Sequence, residues 1–253
     1  MSERFPIVTW TGEPVICADC PHQDRLRGGT CMPGDACVHD GYAKRIDRFF
    51  RQNRDLAAGY LRHPFFEVRA IAARLADPLH LPPLVHDLDG TVRRAAADRL
   101  PECHLAYLQH DPDREVRIRV AHRLAPERLH AMAHDPDYYV RLVVARRIRP
   151  DHLRAMILDP EREVRRAVAG RIGVDLLPLL AADADGDVRA EAVQRLPADA
   201  LGPYRDDADW RVRYEVARRA PRQHVFELVN DPDHMVQEKA LARLYDNAEV
   251  PGP

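Results

Sequence analysis

Asp111-Pro112-Asp113-Arg114-Glu115-Val116-Arg117-Ile118-Arg119-Val120-Ala121-His122-Arg123-Leu124 is the stretch that decides the fold. It reads as a helix with a marked start and stop. Asp111 suits the N-cap, where a carboxylate accepts from orphan first-turn N–H groups. Pro112 suits the first helical position, where its missing donor costs nothing. Asp113 and Glu115 place negative charge at the positive end of the helix dipole. Val116, Val120 and Leu124 then fall on one face. Arg123 lies in the last turn, where a cation is favoured, and Pro126 keeps the helix from running on.

The same unit recurs along the chain. Val68, Val92, Val116, Val140, Val164, Val188, Val212 and Val236 are each 24 residues apart, with no insertion. The stretch Asp135 to Ile148 is the other clear copy. Between helices only a short arm remains, with apolar pairs three residues apart: Leu105/Leu108, Leu129/Met132, Leu153/Met156, Leu177/Leu180 and Leu201/Tyr204. That spacing suits a 3₁₀ turn, and equally one short α turn. A single unit cannot bury its apolar face, whereas stacked neighbours can. The expectation is an all-α solenoid of eight repeats over 63–246, with a tail at 247–253.

Arginine follows the valine in seven units: Arg69, Arg93, Arg117, Arg141, Arg165, Arg189 and Arg213. Four residues earlier stands an acid in most: Asp89, Asp113, Asp137, Glu161, Asp185 and Asp209. This order favours an i,i+4 pair within each helix. The row therefore reads as structural ion pairing, with a basic stripe for nucleic acid as the alternative. The ends differ from the middle. The last unit has Gln237, Glu238 and Lys239 in place of the arginine motif, a polar cap. The first is one residue short from Val68 to Leu75. Ahead of it, Tyr42 to Leu61 reads as one amphipathic helix with Ile46, Phe49 and Phe50 on its apolar side, a connecting element over 41–62.

The 253 residues are 45% apolar and 31% charged, with net charge −2. That balance is globular and carries no bulk attraction to polyanions. No signal-like apolar stretch follows the N-terminus and no run is long enough to cross a bilayer. A cytoplasmic protein with reduced thiols is expected.

The remaining signal is local. Cys17, Cys20, Cys31 and Cys37 form C-x2-C-x10-C-x5-C on a Gly/Pro-rich segment, within a module placed at 1–40. Four thiols at this density point to a metal site. Zinc and an iron–sulfur cluster both accept four cysteines, and the spacing alone leaves both open. Four thiolates leave no open coordination position, so Lewis-acid catalysis is not expected. His22 and His39 flank the cysteines as minor ligand candidates. His86, His110 and His134, and the second row His80, His104, His152 and His224, read as surface positions. Cys103 reads as a partly exposed free thiol. No G-x-G-x-x-G, Walker A, H-E-x-x-H or G-x-S-x-G pattern occurs, and no enzyme is expected.

Taken together, the Asp-Pro-x-x-x-Val-Arg unit of 24 residues and the four cysteines ahead of a helix resemble the leucine-rich repeat variant proteins with an iron–sulfur cluster. The resemblance covers nearly the whole chain. It implies a right-handed superhelix alternating α and 3₁₀ helices, and a [4Fe–4S] cluster on Cys17, Cys20, Cys31 and Cys37. It also suggests a link to nitrogen-fixing bacteria. The functional expectation is a scaffold that binds a protein partner on the concave face of the stack. The cluster would carry electrons, sense oxidation or act as a staple.

Overall fold

The structure is a computed structural model and describes residues 6–245. The expected tail at 247–253 lies outside the described residues. The chain divides into two compact units, 1–125 and 126–253. Both are helical, and among the described residues the only β pairing is three isolated bridges near the N-terminus.

The first unit holds the cysteine segment, the helix Ala43–Gln52 and the repeat helices Phe66–Leu75, Gly90–Ala97 and Arg114–Arg123. The second holds Tyr138–Arg147, Arg162–Ala169, Gly186–Val193, Trp210–Arg219 and His234–Tyr245. In each unit these helices alternate with short arms. Most arms are 3₁₀, as in Pro126–Met132 and Pro150–Met156, while Glu102–Leu105 and Leu177–Leu180 close a single α turn. Both turn types that the three-residue spacing allows are therefore used.

The core follows the period. All eight valines of the column are fully buried, as are Ala72, Ala96, Val120, Val144, Val168, Ala192, Val216 and Ala240 four residues on. Arm residues such as Leu81, Leu105, Leu129, Leu153 and Leu177 close the other side. Each buried aliphatic contributes about 1.5–3 kcal/mol, offset by backbone ordering. The first repeat is not short. Its helix has ten residues, and Ala76, eight residues after Val68, fills the place that leucine or isoleucine takes in most other repeats.

Two polar features differ from expectation. Asp113, not Asp111, is the N-cap, accepting from Glu115 N–H at 2.8 Å. Asp111 sits upstream, accepting from Asp113 N–H at 2.9 Å, and Pro112 precedes the helix. Both aspartates of the Asp-Pro-Asp motif thus have separate tasks. The arginine row, second, pairs between repeats in the six units whose bonds follow, not at i,i+4. Its forks cross to the first aspartate of the next repeat: Arg69 to Asp87, Arg93 to Asp111, Arg141 to Asp159, Arg165 to Asp183, Arg189 to Asp207 and Arg213 to Asp231, at 2.6–2.8 Å for the shorter bond. The nearer acid is drawn away because in most units its carboxylate caps its own helix. The remaining Nη1 group of these arginines donates to carbonyls at the turn, as Arg93 does to Asp87 O at 2.8 Å.

A second arginine row ties neighbouring repeats together. Arg123 donates to Ala97 O and Leu100 O, both at 2.8 Å, and Arg219 to Val193 O at 3.0 Å and Leu196 O at 2.6 Å. Arg99, Arg171, Arg195 and Arg243 reach the equivalent carbonyls. Each places its cation at the C-terminus of the preceding repeat's helix, satisfying carbonyls that lack intrahelical donors. The terminal unit departs from the first row: Gln237 donates to Val229 O at 2.9 Å.

The connecting segment is not one helix. It is Ala43–Gln52 followed by a 3₁₀ segment, Arg54–Tyr60, with a break at Asn53. Asn53 follows Ile46, Phe49 and Phe50 on the buried face and is itself fully buried. Its amide donates to Phe49 O and to Thr30 O, both at 2.8 Å, and its Oδ1 accepts from Thr30 Oγ1 at 2.9 Å. These bonds hold the cysteine segment to the helix at the cost of the helical path.

Candidate metal centre

The cysteine segment is anchored mainly by backbone. Cys20 N–H closes a turn onto Cys17 O at 3.2 Å, and Gln23 donates its amide to Cys17 O and Ala18 O. Cys31 N–H donates to Arg25 O at 3.1 Å, on the short helix Gln23–Arg27. Met32 and Ala36 then pair across a tight hairpin. Gly34 turns it with φ +78°, a left-handed conformation that favours glycine. Cys37 N–H donates to Arg45 O at 3.2 Å on the helix Ala43–Gln52. Asp40, buried, accepts from Tyr42 N–H at 2.9 Å and from Arg45 Nη1 at 3.0 Å.

These anchors bring Cys37, Cys20 and Cys17 within electrostatic reach of Cys31. Cys31 and Cys37 are buried, Cys17 and Cys20 half-buried, and Cys103 stands apart and exposed. Burial, with Cys37, Cys20 and Cys17 beside it, pushes the Cys31 thiol up to about 12. Burial raises Cys37 as well, against hydrogen bonds from the His39 and Asp40 backbone to its sulfur. A donor set of this kind resists ionisation by itself. It therefore favours a cation centre that neutralises crowded thiolates, releasing protons as it binds. Four grouped thiols, two of them sealed from water, fit a Cys-ligated centre. Among the described residues no three His, Cys, Asp or Glu side chains close on one point as a single-ion site would.

The sequence pattern points to the cysteines and to His22 and His39 beside them, and the fold adds further neighbours. Tyr60, from the 3₁₀ segment, packs against Phe50 and hydrogen-bonds His22. Burial, then Cys20, Cys37 and Cys31, raises its hydroxyl to about 12. His22 lies between His39, Phe49 and Tyr60, with ring centroids 6.2, 5.3 and 5.7 Å away. Burial holds His22 and His39 below the usual imidazole range, so both are neutral donors or acceptors near pH 7. Asn53 did leave a sequence signal, as a polar residue in line with Ile46, Phe49 and Phe50. Tyr60 left none. The surface histidines His80, His86, His110, His134 and His152 are exposed, and His104 and His224 are half-exposed.

Comparison with known proteins meets this geometry at two scales. The family described as "LRV protein FeS4 cluster" matches residues 7–59, which take in all four cysteines, Asn53 and the helix Ala43–Gln52. A solved structure titled a leucine-rich repeat variant with a novel repetitive structural motif is 43% identical, with a TM-score of 0.82 over 90% of this chain and 98% of that one. The chain belongs to the leucine-rich repeat variant family. A curated relative from Rhodobacter capsulatus, an uncharacterized 27.7 kDa protein in the nifB 3' region, is 46% identical over 101 residues. The match spans 40% of this chain and 41% of that relative. As a leucine-rich repeat variant protein, this one carries its repeats behind an iron–sulfur module. Among the described residues no helix is long and apolar enough to cross a membrane.

Proposed function

We propose that Cys17, Cys20, Cys31 and Cys37 hold a [4Fe–4S] cluster, and that the protein is a repeat scaffold for a protein partner with a redox-active cluster at one end. The observation that carries this is the grouping of four thiols, two buried and two half-buried, inside the segment that matches the cluster family. When bound, such a cluster supplies one-electron chemistry. The chain's own residues set its surroundings. Cys31 and Cys37 seal one side, and the His39 and Asp40 N–H groups donate to the Cys37 sulfur, an interaction that shifts cluster potential. Tyr60 and His22 wall the site without being required as ligands. Cys17 and Cys20 form its wetter edge, the side from which electrons would pass.

A scaffold role rests on the repeat array. The first arginine row gives no support to the nucleic-acid reading, because its forks are occupied by aspartates and carbonyls and are largely buried. A link to nitrogen fixation rests on the R. capsulatus relative's description. Potentiometric titration of anaerobically purified protein, followed by EPR, tests the redox reading. A reversible one-electron couple is expected. A cluster that stays silent between the potentials of dithionite and ferricyanide would reduce the module to a structural staple.

A further inference from the structure

A cleft of about 720 Å³ opens in the first unit between the 3₁₀ segment Arg54–Tyr60 and the arm of the first repeat. That size lies within the range of about 300–1,000 Å³ usual for small-molecule sites. Gly59, Arg62, His63, Leu79, His80 and His86 are among its lining residues. Its one carboxylate, Asp87, is already held by Arg69 through two bonds at 2.7 and 2.8 Å. The Arg62, His80 and His86 side chains make no hydrogen bond or ion pair among the described residues. The cleft therefore gathers unpaired donors and one fixed cation around an opening with no unpaired acid.

The repeat supplies its own comparison. In the second unit a cleft of about 710 Å³ is lined by Pro160, Arg165 and Asp183, at the repeat positions of Pro64, Arg69 and Asp87. There the positions of Arg62 and His86 carry Leu158 and Ala182. The repeat forms the cleft with either set, so its architecture does not demand the arginine and the histidine. The first cleft also borders the cysteine module. His63 lines it and its ring stands 5.9 Å from Tyr60.

We propose that the first cleft is a binding site for a small, multiply charged anion carrying carboxylate or phosphate groups, with Arg62 as the fixed charge and His80 and His86 as further donors. The inference does not depend on the identity of the cluster. The test is calorimetric titration of the full-length protein, purified anaerobically, with citrate and separately with pyrophosphate. One saturable site is expected for at least one of them, and the better probe tells carboxylate from phosphate. Arg62→Leu with His86→Ala, which installs the residues of the second cleft, is expected to weaken binding at least tenfold, roughly the loss of one good charge-assisted contact. Should that variant unfold, His80→Ala alone must show a clear loss. No saturable binding of either anion overturns the proposal, as does binding indifferent to these variants. An equal loss from His110→Ala, an exposed histidine outside the cleft, would show diffuse surface attraction and overturn it as well.

Discussion

Replacing Asp183 by asparagine separates the two ways an arginine row could be wired. Arg165 reaches Asp183 with Nε at 2.7 Å and Nη2 at 2.9 Å, and its Nη1 donates to Asp159 O at 2.8 Å. Asp183 also accepts from Asp185 N–H at 2.9 Å. The two side chains are 16% and 9% exposed, so little solvent screening discounts the pair. The Asp183→Asn substitution would keep the shape but turn an N–H₂ group toward a guanidinium donor, leaving a largely buried cation without its counter-charge. Breaking one side of such a pair costs about 3–5 kcal/mol. Glu161, the acid four residues before Arg165, is exposed and makes no side-chain capping bond. Glu161→Gln should therefore cost no more than about 0.5 kcal/mol. Urea unfolding followed by circular dichroism reads both variants, and hydrogen exchange across Asp185 to Arg189 localises the loss. Equal costs for the two variants would refute the inter-repeat wiring and restore an i,i+4 pair.

The same row sets a pH dependence. Burial pushes the Asp183 carboxyl up, but hydrogen bonds from Arg165 and Asp185 N–H, with the charges of Arg165 and Arg189, outweigh it and hold the group below its usual range. A depressed native pKa adds stability that is present above the unfolded value, about 3.9, and is lost as pH falls through the native one. Acid titration of thermal stability should thus fall below about pH 4, and less steeply for Asp183→Asn. Asn53→Leu removes three side-chain hydrogen bonds and strands Thr30 O, while Phe49 O keeps the backbone N–H of residue 53; it should cost about 1–3 kcal/mol in denaturant unfolding and speed loss of the cluster's absorption. Arg219→Leu removes its bonds to Val193 O, Gln194 O and Leu196 O, of which Val193 O keeps Leu196 N–H, and should cost about 1.5–3 kcal/mol, seen as faster exchange at the end of the helix Gly186–Val193. In metal-free protein, mass spectrometry after brief alkylation should find Cys103, Cys17 and Cys20 labelled before Cys31 and Cys37, whose thiols are buried and raised.

The repeat was legible because one periodic feature, valine every 24 residues, reports burial directly. The four cysteines were legible because four thiols crowded within 21 residues have few readings besides a metal site or disulfides. What stayed hidden depends on neighbours distant in sequence. Arg165 has Glu161 close by in the chain, and only the stacking distance of the next repeat shows that Asp183 is its partner. Asp111 and Asp113 are both good caps in isolation, and the Arg93 fork decides between them by engaging the first. Asn53 breaks a helix that its neighbours favour because Thr30, 23 residues earlier, offers it better hydrogen bonding. Tyr60 belongs to the cysteine site through the packing of a 3₁₀ segment, which no local pattern announces.

An iron–sulfur cluster on Cys17, Cys20, Cys31 and Cys37, as proposed above, makes a direct demand on the protein's composition. Iron and acid-labile sulfide analysis of anaerobically purified protein, with its absorption spectrum, tests it most directly. A [4Fe–4S] centre predicts a brown protein with four irons and four sulfides per chain, lost in Cys31→Ser and Cys37→Ser and retained in Cys103→Ser. A colourless protein carrying one zinc, or iron content unaffected by Cys31→Ser and Cys37→Ser, would contradict it.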